Sequence, residues 1–184
     1  VTLEVIGNCG HGCFPIHDPE KSKRIVYGYD DKIPLTWPGA AAYLYDLEAG
    51  RPAVNVVTLV PNGQLRLATV GFSEAPASSD DLNEMKKLLE EGLEAGCWGY
   101  STGLEYASES GAGEHEITEL CKVAAKHVAI YTTHTRNRDE GAVDSVVEAI
   151  RTARNAEVQL QISHLMLRGG REPTLRCIDL VENA

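Results

Sequence analysis

Five short apolar, strand-like runs recur along the chain, at Thr2–Ile6, Val54–Val60, Cys97–Ser101, Val128–Thr133 and Val158–Ser163. Helical patterns fill most of the intervals. Between Asp80 and Ala95, the residues Leu82, Met85, Leu88, Leu89 and Leu93 share one face at helical spacing, with Ser79 reading as the N-cap and Gly96 as the stop. Ile117, Leu120, Cys121 and Ala124 predict a second helix from about Glu114 to His127. Val143, Val146, Val147 and Ile150 predict a third from about Ala142 to Asn155, and Thr174–Glu182 is also helix-like. Strands alternating with helices in this way predict an α/β fold, a parallel sheet with helical crossovers. The stretch from Phe14 to Arg51 breaks the rhythm with Pro15, Pro19, Pro34 and Pro38. It reads as a long loop excursion (residues 14–53) with one short helix near Ala40 to Leu47, and long loops in compact enzymes tend to shape active sites.

Two of the runs close on histidine, Val128–Thr133 on His134 and Val158–Ser163 on His164. With one helix between them they form a βαβ unit, which sets parallel strand ends side by side. Both imidazoles are therefore expected at the carboxyl edge of the sheet, where α/β enzymes keep their chemistry. The first run leads into Gly7-Asn8-Cys9-Gly10, a turn that presents Cys9 at the same edge. One thiolate and two imidazoles with an open fourth position make a sound catalytic zinc set. The plainer reading is a pair of structural histidines and a small buried cysteine. Cys9-Gly10-His11-Gly12-Cys13 is tighter than the usual structural zinc patterns and has no second pair after it. His17, His115 and His127 fall in a loop or on helices and read as solvated or packing residues. Gly99-Tyr100-Ser101-Thr102-Gly103 matches the nucleophile elbow of serine hydrolases, but that elbow opens directly into a helix and Leu104–Gly113 reads as a loop.

Composition narrows the classes further. The 184 residues suffice for one domain, and 43% apolar and 24% charged content is ordinary for a soluble protein. A net charge of −10 with no basic stripe argues against nucleic acid. No apolar stretch reaches the roughly 20 residues of a membrane span, and no signal peptide is visible. The five cysteines are odd in number and scattered, which predicts free thiols or ligands in a reducing compartment, the cytoplasm. The chain begins at Val1 inside a strand-like run and stops inside a helix-like one, so both termini read as cut.

At these segments the chain resembles the N-acyl-D-amino-acid deacylases, or D-aminoacylases, of the amidohydrolase superfamily. The resemblance is carried by Val5-Ile6-Gly7-Asn8-Cys9-Gly10, Leu93-Glu94-Ala95-Gly96, Gly99-Tyr100-Ser101-Thr102-Gly103-Leu104-Glu105-Tyr106, Ile130-Tyr131-Thr132-Thr133-His134-Thr135-Arg136 and Gln161-Ile162-Ser163-His164-Leu165. It runs over nearly the whole chain and is weakest between Phe14 and Ala53.

The resemblance implies a partial (β/α)₈ TIM-type barrel, about strands two to six, filling residues 1–184. It implies Cys9, His134 and His164 as ligands of Zn²⁺, and Tyr106 as a substrate-binding residue. The implied activity is hydrolysis of the amide bond of N-acyl-D-amino acids by zinc-activated water, with a small-molecule N-acyl amino acid as the partner. Arg136 and Asp139 stand as candidates to support the site or to form salt bridges. The family's His-x-His or His-x-Asp motif and its catalytic aspartate lie outside the chain, as does an arginine of the carboxylate clamp, so the isolated chain is expected to be inactive. Met166 stands where many members carry a carboxylate-binding lysine, with Arg168 as a possible substitute. The alternatives are a related amidohydrolase acting on cyclic amides or isoaspartyl dipeptides, and a non-catalytic binding domain. The thiolate ligand favours the deacylases, since cyclic amidases more often use a carboxylated lysine.

Overall fold

The computed structural model describes residues 1–26, 28–165 and 167–184. Its strands are β1 (Leu3–Ile6), β2 (Asn55–Pro61), β3 (Gly99–Gly103), β4 (Ile130–His134) and β5 (Gln159–Ile162). Its helices are α1 (Pro19–Ser22), α2 (Ala40–Ala49), α3 (Asn62–Thr69), α4 (Ser79–Glu94), α5 (Glu114–Lys126), α6 (Ala142–Ala156) and α7 (Arg171–Glu182). The five strands make one sheet in the order β1-β2-β3-β4-β5, with every neighbouring pair parallel. A doubly wound sheet would reverse its strand order somewhere. An unreversed order with right-handed crossovers stacks the helices on one face and curls the sheet, as in a (β/α)₈ barrel. The fold is a partial barrel of that type.

Strand parity decides which side chains meet the helices. Tyr100 and Tyr131 are register partners, stack at 5.7 Å between ring centroids, and are fully buried in the helix-side core. Against them pack Met85, Leu89 and Leu93 of α4 and Ile117, Leu120 and Cys121 of α5, the residues that helical spacing groups on one face. Each such side chain contributes about 1.5–3 kcal/mol when fully buried. Alternate residues of β4 (Ile130 and Thr132) line the opposite face, a cavity of about 520 Å³ that Val5 of β1, Val57 and Leu59 of β2 and Gln161 of β5 also line. His134 shares their parity.

Local signals explain most boundaries. Helix α4 starts one residue earlier than predicted, because Ser78 rather than Ser79 is the N-cap. Its hydroxyl accepts from the Asp81 amide at 3.2 Å while Asp81 accepts from the Ser78 amide at 3.2 Å, a reciprocal capping box. Gly96, at φ +114°, follows the C-cap as expected of a glycine stop. Helix α3 has no counterpart in the predicted pattern. It is buried along most of its length, Asn62 to Leu67, polar positions included. Four of those six residues are Asn62, Gly63, Gln64 and Arg66, which hydrophobic periodicity counts as surface. The excursion after β1 holds the expected short helix, α2, and in addition the single turn α1.

Among the described residues, no helix is long and apolar enough to cross a membrane. All five cysteines are free thiols.

Candidate metal centre

Cys9 follows β1, His134 is the last residue of β4, and His164 lies just past β5. One donor atom from each lies within 4.8 Å of the other two. The Cys9 Sγ is 4.0 Å from His164 Nε2, which is 2.8 Å from His134 Nδ1. Two of the three residues have left-handed backbone, Cys9 at φ +55° and His164 at φ +32°. Non-glycine residues seldom adopt it, and where they do the strain often marks a functional site.

A tight turn makes the Cys9 conformation possible. Gly7 and Gly10 also have positive φ, and a Cβ on Gly10 would lie 1.7 Å from Glu109 Oε1. Ser101 staples the turn, its hydroxyl donating to the Gly7 carbonyl and accepting from the Gly10 amide. The nucleophile-elbow reading fails here. Ser101 is fully buried, and β3 runs on through it to Gly103.

The Glu105 carboxylate fixes the tautomer of His134. Glu105 Oε2 lies 2.7 Å from His134 Nε2 and can only accept, so Nε2 carries the proton and Nδ1 offers its lone pair. Tyr106 Oη, 3.1 Å away, and His164 Nε2 both face that lone pair. Burial by itself pushes the Glu105 carboxyl up, but hydrogen bonds from His134, Arg168 and Arg138 outweigh it and hold the group at about 2. His164 is lowered by burial and by the neighbouring His134, which favours the neutral, ligating imidazole. The Cys9 thiol is raised by burial and by the Glu109 charge, with Arg138 opposing. A thiol in that state needs a bound cation to hold its thiolate form at neutral pH.

This donor set fits a zinc-type ion: a sulfur and two neutral imidazole nitrogens converge, and a carboxylate orients one imidazole from behind.

The remaining candidates separate clearly. Asp139 accepts from Arg168 at 2.9 and 3.0 Å, and Arg168 also donates to Glu105, so Asp139 reaches the centre through an ion-pair chain. Arg136 points elsewhere, to Glu148 and to the Ser110 and Ala112 carbonyls. Tyr106 packs between His11 and His134, with ring centroids 4.6 and 4.7 Å away. His11 is fixed by the Ile25 carbonyl, 2.6 Å from its Nδ1, and does not join the three donors. Cys13 likewise stays outside that group. His17 and His115 are exposed, and His127 caps α5 beside Glu90. Met166 lies outside the described residues. Glu105 went unassigned in the sequence, although it sits beside Tyr106 in a family-like stretch; an isolated loop carboxylate carries no periodic signal.

No family model matches the chain. An N-acyl-D-glutamate deacylase of Alcaligenes xylosoxydans xylosoxydans is 34% identical over 164 residues, which cover 89% of this chain and 33% of that protein. A crystal structure of D-aminoacylase, described as defining a novel subset of amidohydrolases, aligns with a TM-score of 0.81 at 31% identity, over 89% of this chain and 34% of that one. An N-acyl-D-glutamate deacylase from Bordetella bronchiseptica, complexed with zinc and a phosphonate inhibitor that mimics the tetrahedral intermediate, aligns with a TM-score of 0.84 at 26% identity. That match covers 100% of this chain and 39% of its counterpart. The chain thus spans about a third of the length of the relatives it matches. Its in-order parallel sheet and these matches define an amidohydrolase-type barrel. Within that class, the chain is similar to the N-acyl-D-amino-acid deacylases, or D-aminoacylases, over about nine-tenths of its own length.

Proposed function

We propose that this sequence supplies the metal-binding wall of a zinc-dependent deacylase that hydrolyses the amide bond of N-acyl-D-amino acids. In this reading Cys9, His134 and His164 are the zinc ligands, and residues 1–184 are the corresponding part of one barrel domain. The observation that carries it is the convergence of one thiol and two imidazoles within 4.8 Å at the carboxyl edge of the sheet. The zinc in the Bordetella deacylase supports the choice of metal. The thiol donor favours a deacylase over a cyclic amidase, and the free thiols suit a reducing, cytoplasmic setting.

When bound, zinc supplies Lewis acidity and lowers the pKa of water to near 7. The chain's own residues do the rest of the work at this wall. Glu105 holds the Nε2 proton of His134, so that Nδ1 is the ligating atom. Tyr106 Oη is within reach of the same nitrogen and, once released from it, is placed to hydrogen-bond an N-acyl amino acid at the rim. Arg168 and Arg138 are paired with Glu105 and hold in place the carboxylate that orients His134.

Metal analysis of the purified chain tests the ligand set. Wild type is expected to retain about one zinc per chain, and Cys9→Ser, His134→Asn and His164→Asn each to lose most of it. Undiminished zinc in all three variants would refute the assignment. Release of D- but not L-amino acids from N-acyl substrates by the whole protein containing this sequence tests the reaction.

A further inference from the structure

The three donor-bearing strand ends are tied together by a second, polar constellation one step below the donors. Asn8 immediately precedes Cys9, Ser163 immediately precedes His164, and Thr132 lies two residues before His134 on the same face of β4. The Thr132 hydroxyl donates to Asn8 Oδ1 at 2.9 Å. Asn8 Nδ2 donates to the Ser163 hydroxyl at 3.1 Å, and that hydroxyl also lies 3.3 Å from Asn8 Oδ1. Ser163 is held to β4 independently, through its amide to the Thr133 carbonyl at 2.9 Å. Thr132 and Ser163 are buried, and all three side chains line the cavity on the concave face together with His164.

No ladder hydrogen bond links β1 to β4 or β5, since β2 and β3 intervene. The Asn8 amide reaches across that gap. We propose that Asn8 is a positioning residue for the metal centre: by bridging Thr132 and Ser163 it sets the separation between the Cys9 sulfur and the two imidazoles. This rests on the zinc-ligand reading above. The physical need is specific, because Cys9 sits in left-handed backbone that its own conformational preference does not maintain. Ser101 pins the turn to β3 through Gly7 and Gly10, but that contact does not fix the turn against β4 and β5, whose ends carry the two imidazoles.

The test uses Co²⁺ as an optical stand-in for zinc on the purified chain, reading affinity by competition with a chelator and geometry from the thiolate charge-transfer and d–d bands. Asn8→Leu is expected to bind Co²⁺ at least tenfold more weakly than wild type and to shift those bands. Asn8→Asp, which can still accept from both hydroxyls, is expected to recover most of the affinity and the wild-type spectrum. Thr132→Val, a near-isosteric change that removes one arm of the bridge, guards against loss of folding in Asn8→Leu and is expected to fall between them. A purely structural role would lower the melting temperature and leave the bands of the folded protein where they were. Wild-type affinity and spectrum in both folded Asn8→Leu and Thr132→Val overturn the proposal alone. A wild-type chain that takes up no Co²⁺ overturns the metal reading, and the proposal falls with it.

Discussion

Glu105 stands behind His134, its Oε2 2.7 Å from the ring Nε2, on the side away from Cys9 and His164. The contact does two things. It selects the tautomer whose Nδ1 can ligate, and it fixes the orientation of the ring. Arg138 Nε, 3.1 Å from the same oxygen, and Arg168 keep the carboxylate ionised and oriented.

Glu105→Gln removes the charge and frees the amide to face His134 with either its oxygen or its nitrogen. Zinc affinity is expected to fall about 10- to 100-fold, the range for losing an outer partner of a ligating histidine. Competition with a chromophoric chelator measures it. An affinity within twofold of wild type would mean that the carboxylate serves only its two arginines.

Glu109 makes a prediction about pH. It is fully buried under the Cys9 turn; its Oε2 accepts from Asn62 and from the Gly103 amide, and its Oε1 has no partner among the described residues. Burial raises its carboxyl to about 7 despite those bonds. A folded-state value above the unfolded one, about 4.3, means that the group's contribution to stability is complete below the unfolded value and is lost as pH rises through about 7. Glu109→Gln cannot ionise and retains an acceptor for Asn62 and Gly103. Relative to the metal-free wild type it should therefore gain stability between pH 5 and pH 8, by roughly 2–4 kcal/mol at most. Denaturant melts of the two proteins across that range measure the difference, and a constant offset would contradict it.

The Ser101 strut separates two readings of one motif. Bonded to the Gly7 carbonyl and the Gly10 amide, its hydroxyl has no path to a substrate. Ser101→Ala is expected to cost about 1–3 kcal/mol through the unpaired Gly10 amide, with zinc affinity reduced as the turn loosens. A fluorophosphonate probe is expected to leave Ser101 unlabelled in the native protein. Labelling would restore the serine-hydrolase reading.

How much of this was legible beforehand depended on the physical signal involved. The five strands stand out as short apolar runs and the helices α4, α5 and α6 carry 3.6-residue periodicity, and the structure places them within a residue or two of expectation. The convergence of Cys9, His134 and His164 followed from topology, because parallel strands share one carboxyl edge. Helix α3 was hidden because Gln64 and Arg66 are polar and nevertheless buried, satisfied by partners far away in the chain. Glu109 was hidden for the same reason, and the exposed Asn8 and half-buried Glu105 for a related one. A side chain's role in a polar network depends on what lies opposite it, and spacing along one chain does not encode that.

The buried pair beneath α3 gives the largest expected effect. Arg66 and Glu116 are 0% and 4% exposed and meet at 2.6 Å. Arg66 also donates to the Ser108, Ser73 and Ala75 carbonyls, so one guanidinium fork holds α3, α5 and the loop between α3 and α4. Glu116 spends its other oxygen on the Ala77 amide, at the entry to α4. Arg66→Met leaves an uncompensated carboxylate and three bare carbonyls, and should destabilise the fold by about 3–5 kcal/mol. Arg66→Lys should fare little better, since an ammonium cannot reproduce the planar fork. Pairing Arg66→Met with Glu116→Gln removes the stranded charge and should recover part of the loss, so the two effects will not add. Urea titrations of the single and double variants close the cycle. Strict additivity would show that Arg66 acts through its carbonyl contacts alone and that the ion pair is idle.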